Sequence, residues 1–249
     1  MIVLGIETAT RFGSVGLVEQ TGLATRILAE SVQEAGRTHG AMLLAQIDAA
    51  LVSARLELSA VEAFAVSTGP GSFTGLRVGM ATAKALAWAA GAPIAGVGTL
   101  AAWASSWASA SGEALLGKTI CVALDARKGE VYRAAFVVAG PGGELRRLLP
   151  DAVEKPAACA RSFENLGSDP REIHMLGDGV FRYAEPFAGI GEDRRCALEE
   201  HPPSGVHVAL LALPRLAAGQ GDDVRDLAPV YVRASEAELS LLPAGRENS

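Results

Sequence analysis

Histidine, cysteine and tyrosine are scarce in this chain of 249 residues, at 4, 3 and 3 copies, and aromatic residues make up only 5% of it. Cys121, Cys159 and Cys196 stand far apart and form no C-x-x-C pair. That spacing excludes a thiolate zinc site and a disulfide framework, and it predicts buried thiols in a reducing, cytoplasmic compartment. A metal pair of the H-x-x-x-H kind, with both imidazoles on one helix face, is also missing. His39 is followed at that spacing by Leu43, and His174, His201 and His207 have no partner at it either. His39 therefore reads as a cap or surface residue at a helix start, and His201, before Pro202-Pro203, as loop. No apolar run reaches the roughly 20 residues that cross a bilayer, so no membrane contact is expected. The start, Met1 to Glu7, has no basic segment and reads as a strand rather than a leader. Positive charge is not in excess, since 22 Lys and Arg face 28 Asp and Glu for a formal charge of −6. A protein that grips nucleic acid alone presents a basic face, because phosphate neutralisation supplies most of the affinity; the scattered cations here argue against that.

Apolar residues make up 49% of the chain and charged ones 20%, enough for a full core in one large domain or two lobes. The most informative stretch is Gly69-Pro70-Gly71-Ser72-Phe73-Thr74-Gly75-Leu76-Arg77-Val78-Gly79. It follows an apolar strand-like run from Ala63 and opens a helix-like run to Ala90. A glycine-rich turn feeding a helix N-terminus has the form of an anion site. Both standard phosphate tests fail, however. Gly75 is followed by Leu76-Arg77 rather than Lys and Ser/Thr, and Thr74 stands where a dinucleotide fingerprint needs glycine. The loop is built for shape, with Ser72 or Thr74 capping the helix. Ser72 has neither a G-x-S-x-G setting nor a placed His and acid, so it is no nucleophile.

Along the chain, residues 2–7 and 14–19 predict a hairpin, 25–31 a third strand, and Leu43, Leu44, Ile47, Ala50, Leu51 and Ala54 a helix beginning near Thr38. A strand over 63–67, the helix 73–90, a strand over 94–97 and a helix over 99–108 follow. The Ser/Gly-rich stretch 105–117 reads as a separator. Beyond it, 120–124 and 130–138 predict a second hairpin, a weak echo of the first. A helix over 156–166, a strand over 173–176 and a helix over 206–218 complete the pattern.

The loop wording, G-P-G-S-F-T-G-L-R-V-G, resembles the TsaB family (also called YeaZ), a bacterial subunit of tRNA threonylcarbamoyladenosine biosynthesis. Four more segments resemble that family in order: Leu4-Gly5-Ile6-Glu7-Thr8-Ala9-Thr10 with Ser14-Val15-Gly16-Leu17, Arg37-Thr38-His39 with Leu43-Leu44, Asp125-Ala126-Arg127-Lys128-Gly129-Glu130-Val131-Tyr132, and Pro229-Val230-Tyr231-Val232-Arg233. The resemblance implies an α/β, two-lobed fold of the actin/hexokinase/Hsp70-like (ASKHA) kind, each lobe a mixed sheet flanked by helices. The expected division is an N-terminal lobe over 1–104, a C-terminal lobe over 105–233 and a flexible tail over 234–249.

In active members of that superfamily, acidic and hydroxylated residues of the hairpins meet phosphate and metal. The equivalents here are Glu7, Thr8 and Thr10 in the first hairpin, Asp125, Arg127 and Lys128 in the second, and Gly177 and Gly179 around Asp178 as an adenosine-loop remnant. Glu7 departs from the usual Asp, which alters metal or phosphate geometry. Local accounts compete at each place: threonine hydroxyls bonding their own turn, an ion pair of the cations with Asp125 and Glu130, and a tight turn at 177–179. The expectation is therefore no metal, no catalytic residue and no cofactor of its own, with ATP and threonylcarbamoyl-adenylate used by partner subunits. The helix 73–90 is apolar nearly all round, and a small lobe covers only one of its sides. That predicts a partner surface made by His39, Met42, Ala45, Gly75, Arg77, Gly79, Met80, Ala83, Lys84 and Ala87, with Ala83 facing outward. The resemblance implies pairing with TsaD, recruitment of TsaE, a homodimer when alone, and tRNA contact only through the complex. Two other classes remain open from the residues: a nucleotide-dependent phosphotransferase or hydrolase of the same fold acting alone, and a homodimeric module outside tRNA metabolism.

Overall fold

The computed structural model describes residues 1–34, 39–140 and 142–233, with the side chains of 39–41 left out. The expected flexible tail over 234–249 and the side chain of His39 lie outside the described residues.

Strands β1 (Ile2–Glu7) and β2 (Phe12–Thr21) form the first hairpin, and β3 (Ala24–Glu34) continues it. Helix α1 (His39–Ala54), strand β4 (Ala63–Gly69), helix α2 (Phe73–Ala90) and strand β5 (Ile94–Gly98) follow. The sheet order is β3-β2-β1-β4-β5, with β1 antiparallel to β2 and parallel to β4. Side chains alternate across it because the strand period is two. Leu4, Ile6, Phe64 and Val66 point to the face covered by α1 and α2, and Val3, Ala63 and Ala65 to the opposite face. A sheet buried on both faces explains why these strands read as continuous apolar runs.

The second half repeats the plan. Helix α3 (Thr99–Ser111) leads to β6 (Thr119–Arg127), β7 (Glu130–Val138) and β8 (Leu145–Glu154). Helix α4 (Pro156–Glu164), β9 (Ile173–Leu176), α5 (Asp178–Arg182), β10 (Arg195–Cys196) and α6 (Gly205–Ala217) complete it. The order β10-β9-β6-β7-β8 is the first sheet's order again, so the echo of one hairpin in the other reflects two lobes of equal topology. This is the two-lobed ASKHA-type architecture.

The structure corrects the linear division in physical detail. Residues 105–111 are not a separator but the second half of α3. Its serines are held by tertiary bonds, Ser105 Oγ donating to Gly143 O at 2.8 Å and Ser106 Oγ meeting His201 Nε2 at 2.9 Å. Helix α3 packs Leu100, Trp103, Ala104 and Ala108 onto the second sheet. Helix α6, from the second half of the chain, packs Val206, Ala209, Leu213 and Leu216 onto the first sheet. The two helices thus cross over and join the lobes. Strand β8 has no counterpart in the sequence reading. It is an edge strand that carries Pro150, and its pairing with β7 shifts register twice, so its alternation is broken.

Candidate functional site

The sequence reading assigns its residues to two surfaces, the cleft between the lobes and the outer face of α1 and α2. The cleft has a volume of about 480 Å³. Its N-lobe wall is the turn Ala9-Thr10-Arg11 with Gly71, Ser72 and Phe73; its C-lobe wall includes Asp125, Arg127, Lys128, Tyr132, Asp178 and Arg233. Thr10, Asp125 and Arg127 therefore do face one space, as the resemblance to nucleotide-binding hairpins implies.

Glu7 and Thr8 do not line it. Glu7 is fully buried at the end of β1; the Ala9 N–H donates to its Oε1, and Oε2 has no hydrogen-bond partner among the described residues. Burial pushes its carboxyl up to about 7, against the lowering effect of its hydrogen bonds. Thr8 Oγ1 donates to Gly75 O at 2.8 Å, which pins the first hairpin to the first turn of α2. The same contact explains the glycines. A Cβ on Gly75 would sit 1.9 Å from Thr8 O, and one on Gly79 would sit 2.2 Å from Thr8 Oγ1. The loop glycines let α2 lie directly on the hairpin turn. Ser72 caps the helix, its Oγ accepting from Gly75 N–H at 3.2 Å.

Across the cleft, Asp125 is engaged from three sides. Its Oδ1 accepts from Arg127 N–H at 2.9 Å and from Tyr183 OH at 3.1 Å, and Arg127 and Arg182 lie within 3.5 and 3.6 Å of Oδ2. Asp178 accepts from Asp125 N–H at 2.9 Å, and burial raises its carboxyl above the ordinary range. Gly177 is not a tight-turn residue. It precedes α5 with φ 125°, and a Cβ there would strike Ala123 O at 2.3 Å; Gly179 lies in α5 and is likewise crowded by that carbonyl at 2.7 Å. Arg233 enters from the chain's last described segment, donating to Ala126 O at 2.9 Å and pairing with Glu130. Of the carboxylates named for this cleft, Glu7 is sealed below its floor and Asp125 is already engaged by its neighbours.

The predicted partner surface is corrected more heavily. Gly75, Gly79, Met80, Ala83 and Ala87 are all buried on α2's inner face, and Met80, Ala83 and Ala87 share a core with Ile6, Leu43 and Ile47. Ala83 faces inward. Alanine lines both sides of α2, so periodicity gave no direction. Ala45 is exposed, Met42 is half-buried, and the outward residues that the prediction missed are large: Leu44, Val52 and Trp88, at 60%, 68% and 69% exposure. Arg77 and Lys84 are on the outer side but already engaged. Residues 220–233 form a strap across α2: Lys84 Nζ donates to Arg225 O at 3.2 Å and Leu227 O at 2.8 Å, and Arg77 Nε donates to Tyr231 OH at 3.0 Å.

Of the remaining polar groups, His207 is buried with neither ring nitrogen bonded among the described residues, and burial holds it down to about 4. Among the described residues no three His, Cys, Asp or Glu side chains gather as a metal-holding group, and no helix is long and apolar enough to cross a membrane.

A family model described as TsaD, tRNA N6-adenosine threonylcarbamoyltransferase, matches residues 27–193. A protein of Haemophilus influenzae named tRNA threonylcarbamoyladenosine biosynthesis protein TsaB is 29% identical over 99% of this chain and 99% of its own. YeaZ from Pseudomonas aeruginosa superposes with a TM-score of 0.72 at 25% identity, covering 92% of this chain and 100% of that one. The chain belongs to the TsaB/YeaZ family. Higher identity, 40%, is found with an uncharacterised protein of Mycobacterium leprae, but there the match spans 56% of this chain and 38% of the relative. Another mycobacterial relative, from Mycobacterium tuberculosis, is spanned over 58% of its length. TsaB membership accounts for the five motifs in order, and the structure shows what two of them do locally: the glycine loop seats α2, and the terminal P-x-Y-x-R segment ends the strap.

Proposed function

We propose that this chain is a non-catalytic scaffold subunit in the formation of threonylcarbamoyladenosine beside the anticodon of tRNAs that read codons beginning with A. It pairs with TsaD through the outer face of α1 and α2, TsaE joins the pair to sustain turnover, and tRNA meets the chain only within that complex. When purified alone it forms a homodimer through the same face. It takes no cofactor of its own, ATP and threonylcarbamoyl-adenylate being used by the partner subunits. The observation that carries this reading is the pair of exposed outer helix faces. Leu44, Val52 and Trp88 stand in solvent on a lobe whose inner helix faces are already filled. Large apolar side chains exposed on neighbouring helices mark a contact surface. The cleft supports the non-catalytic half of the reading, because its carboxylates are buried or bound. The charge of −6 supports a tRNA contact carried mainly by another subunit.

The test is depletion of the protein in cells, mass spectrometry of tRNA nucleosides, and affinity capture with TsaD as the probe. Loss of threonylcarbamoyladenosine together with TsaD capture is expected. Normal modification after depletion would instead favour a homodimeric module outside tRNA metabolism, and ATP turnover by the isolated chain would favour a phosphotransferase or hydrolase acting alone.

A further inference from the structure

Arg77 stands on the outer side of α2's first turns with its guanidinium carbon 3.8 Å from the centre of the Phe73 ring and 6.0 Å from that of Tyr231. The two rings are themselves 5.4 Å apart and tilted by 32°. Arg77 Nε is fixed by the Tyr231 hydroxyl at 3.0 Å. Tyr231 is in turn set by the strap, whose Val230 N–H donates to Thr68 O at 2.7 Å. Among the described residues no carboxylate lies within ion-pair distance of Arg77, unlike Arg11, which has two, and Arg133 and Arg233, which have one each. An arginine held against aromatic rings has lost most of its rotamer freedom before binding, and its remaining fork of N–H donors matches a carboxylate in two parallel hydrogen bonds. Phe73, Val230 and Tyr231 around it are exposed and apolar. An ordered arginine ringed by exposed aromatic and aliphatic groups is the arrangement that carries a large share of binding energy at protein interfaces.

We propose that Arg77, preorganised by Phe73 and Tyr231, is the charged anchor of the α2 docking face and receives an Asp or Glu carboxylate of the protein partner. The inference rests on the reading of that face as the partner surface, and it adds two things: the strap is part of the interface, and the partner must present an acidic side chain opposite α2's N-terminal turns. The apolar surround favours a protein carboxylate over an RNA phosphate, since a phosphate site gathers further cations while this one gathers Val230 and two rings.

The experiment measures TsaD affinity by calorimetry for the natural chain, Arg77→Met, Arg77→Lys and Tyr231→Phe, with melting curves for each. Arg77→Met removes the charge and keeps the stem, and it should weaken binding by about 30-fold or more. Arg77→Lys keeps the charge but not the fork and should recover only part of that loss. Tyr231→Phe should cost several-fold, and added salt should weaken the natural chain more than Arg77→Met. Arg77 is exposed, so melting temperatures should stay together, which separates a lost anchor from a damaged fold. Binding of Arg77→Met within twofold of the natural chain would overturn the anchor while leaving the docking face standing. Absence of any TsaD binding by the natural chain would overturn the docking face itself. An anticodon stem-loop RNA that binds the natural chain and not Arg77→Met would overturn the carboxylate assignment in favour of phosphate.

Discussion

Ala83→Glu and Ala85→Glu separate the inner face of α2 from its outer face by two residues. Ala83 has no solvent exposure and sits in the core with Ile6, Leu43, Ile47 and Met80, whereas Ala85 is exposed. A glutamate at 83 brings a carboxylate into a core cluster of apolar side chains, and four extra heavy atoms into a packed layer. Together these should cost roughly 3–5 kcal/mol. For a chain of this size each kcal/mol moves the melting temperature by about 2–4 °C, so a fall of roughly 6–20 °C is expected. A glutamate at 85 changes an exposed helix position and should cost less than about 1 kcal/mol. Its effect should appear in binding, where a partner pressed on the outer face must bury the new charge, weakening TsaD affinity by tenfold or more. Differential scanning fluorimetry gives the first quantity and calorimetry with TsaD the second. An Ala83→Glu protein that melts within 2 °C of the natural chain would refute the inward placement of Ala83. An Ala85→Glu protein with natural affinity would remove this part of α2 from the docking face.

Gly75→Ala should lower stability by about 2–4 kcal/mol in chemical denaturation, because the new Cβ meets the Thr8 carbonyl at 1.9 Å and α2 must lift from the hairpin turn; a midpoint unchanged within error would contradict that seating. Glu7 has its folded carboxyl raised to about 7 from an unperturbed 4.5, so its contribution is intact below pH 4.5 and is lost as pH rises through 7. Glu7→Gln should therefore gain on the natural chain by up to about 3 kcal/mol between pH 5 and pH 8, and parallel stability curves for the two would refute the burial of an ionisable carboxylate. His207 runs the other way: held down to about 4 from 6.5, it stabilises the fold above pH 6.5 and ceases to as pH falls through 4. His207→Phe should flatten the acid limb of the stability curve, and an acid limb unaltered by the substitution would mean that other groups set it.

Much of the fold was legible because the inner strands, such as Ile2–Glu7 and Ala63–Gly69, are apolar and bounded by turn residues. Ile2–Glu7, Glu130–Val138, Ile173–Leu176 and Phe73–Ala90 fall within two residues of their sequence readings at each end. Strand β8 was not legible, since Pro150 and two register shifts break its alternation at a sheet edge. The helix crossover was not legible either. That α3 leaves the first half to pack on the second sheet, and α6 returns to the first, is a tertiary fact with no local signature. At the site, the loop was read as a shape element, and the glycine contacts with Thr8 show how it seats α2. The outward sides of α1 and α2 were read largely from the wrong residues. Small residues mark close packing without saying against what, and here Gly75, Gly79, Ala83 and Ala87 pack against the lobe's own core. Signal for the outer face was present in Val52 and Trp88, large apolar residues off the core stripe, whereas Leu44 reads as part of that stripe and only its 60% exposure sets it apart. Signal for the strap was present in Tyr231 and Arg233, whose contacts on α2 and the second hairpin only the folded chain displays.

The central claim, a required but non-catalytic subunit, is tested most directly by reconstitution from purified parts, leaving out one at a time. Unmodified tRNA and threonylcarbamoyl-adenylate are incubated with this chain, with TsaD, or with both, TsaE being present throughout, and threonylcarbamoyladenosine is counted by mass spectrometry. The account predicts product only when this chain and TsaD are together. Product from this chain without TsaD would make it the catalyst, and equal product from TsaD without this chain would end its role as a scaffold.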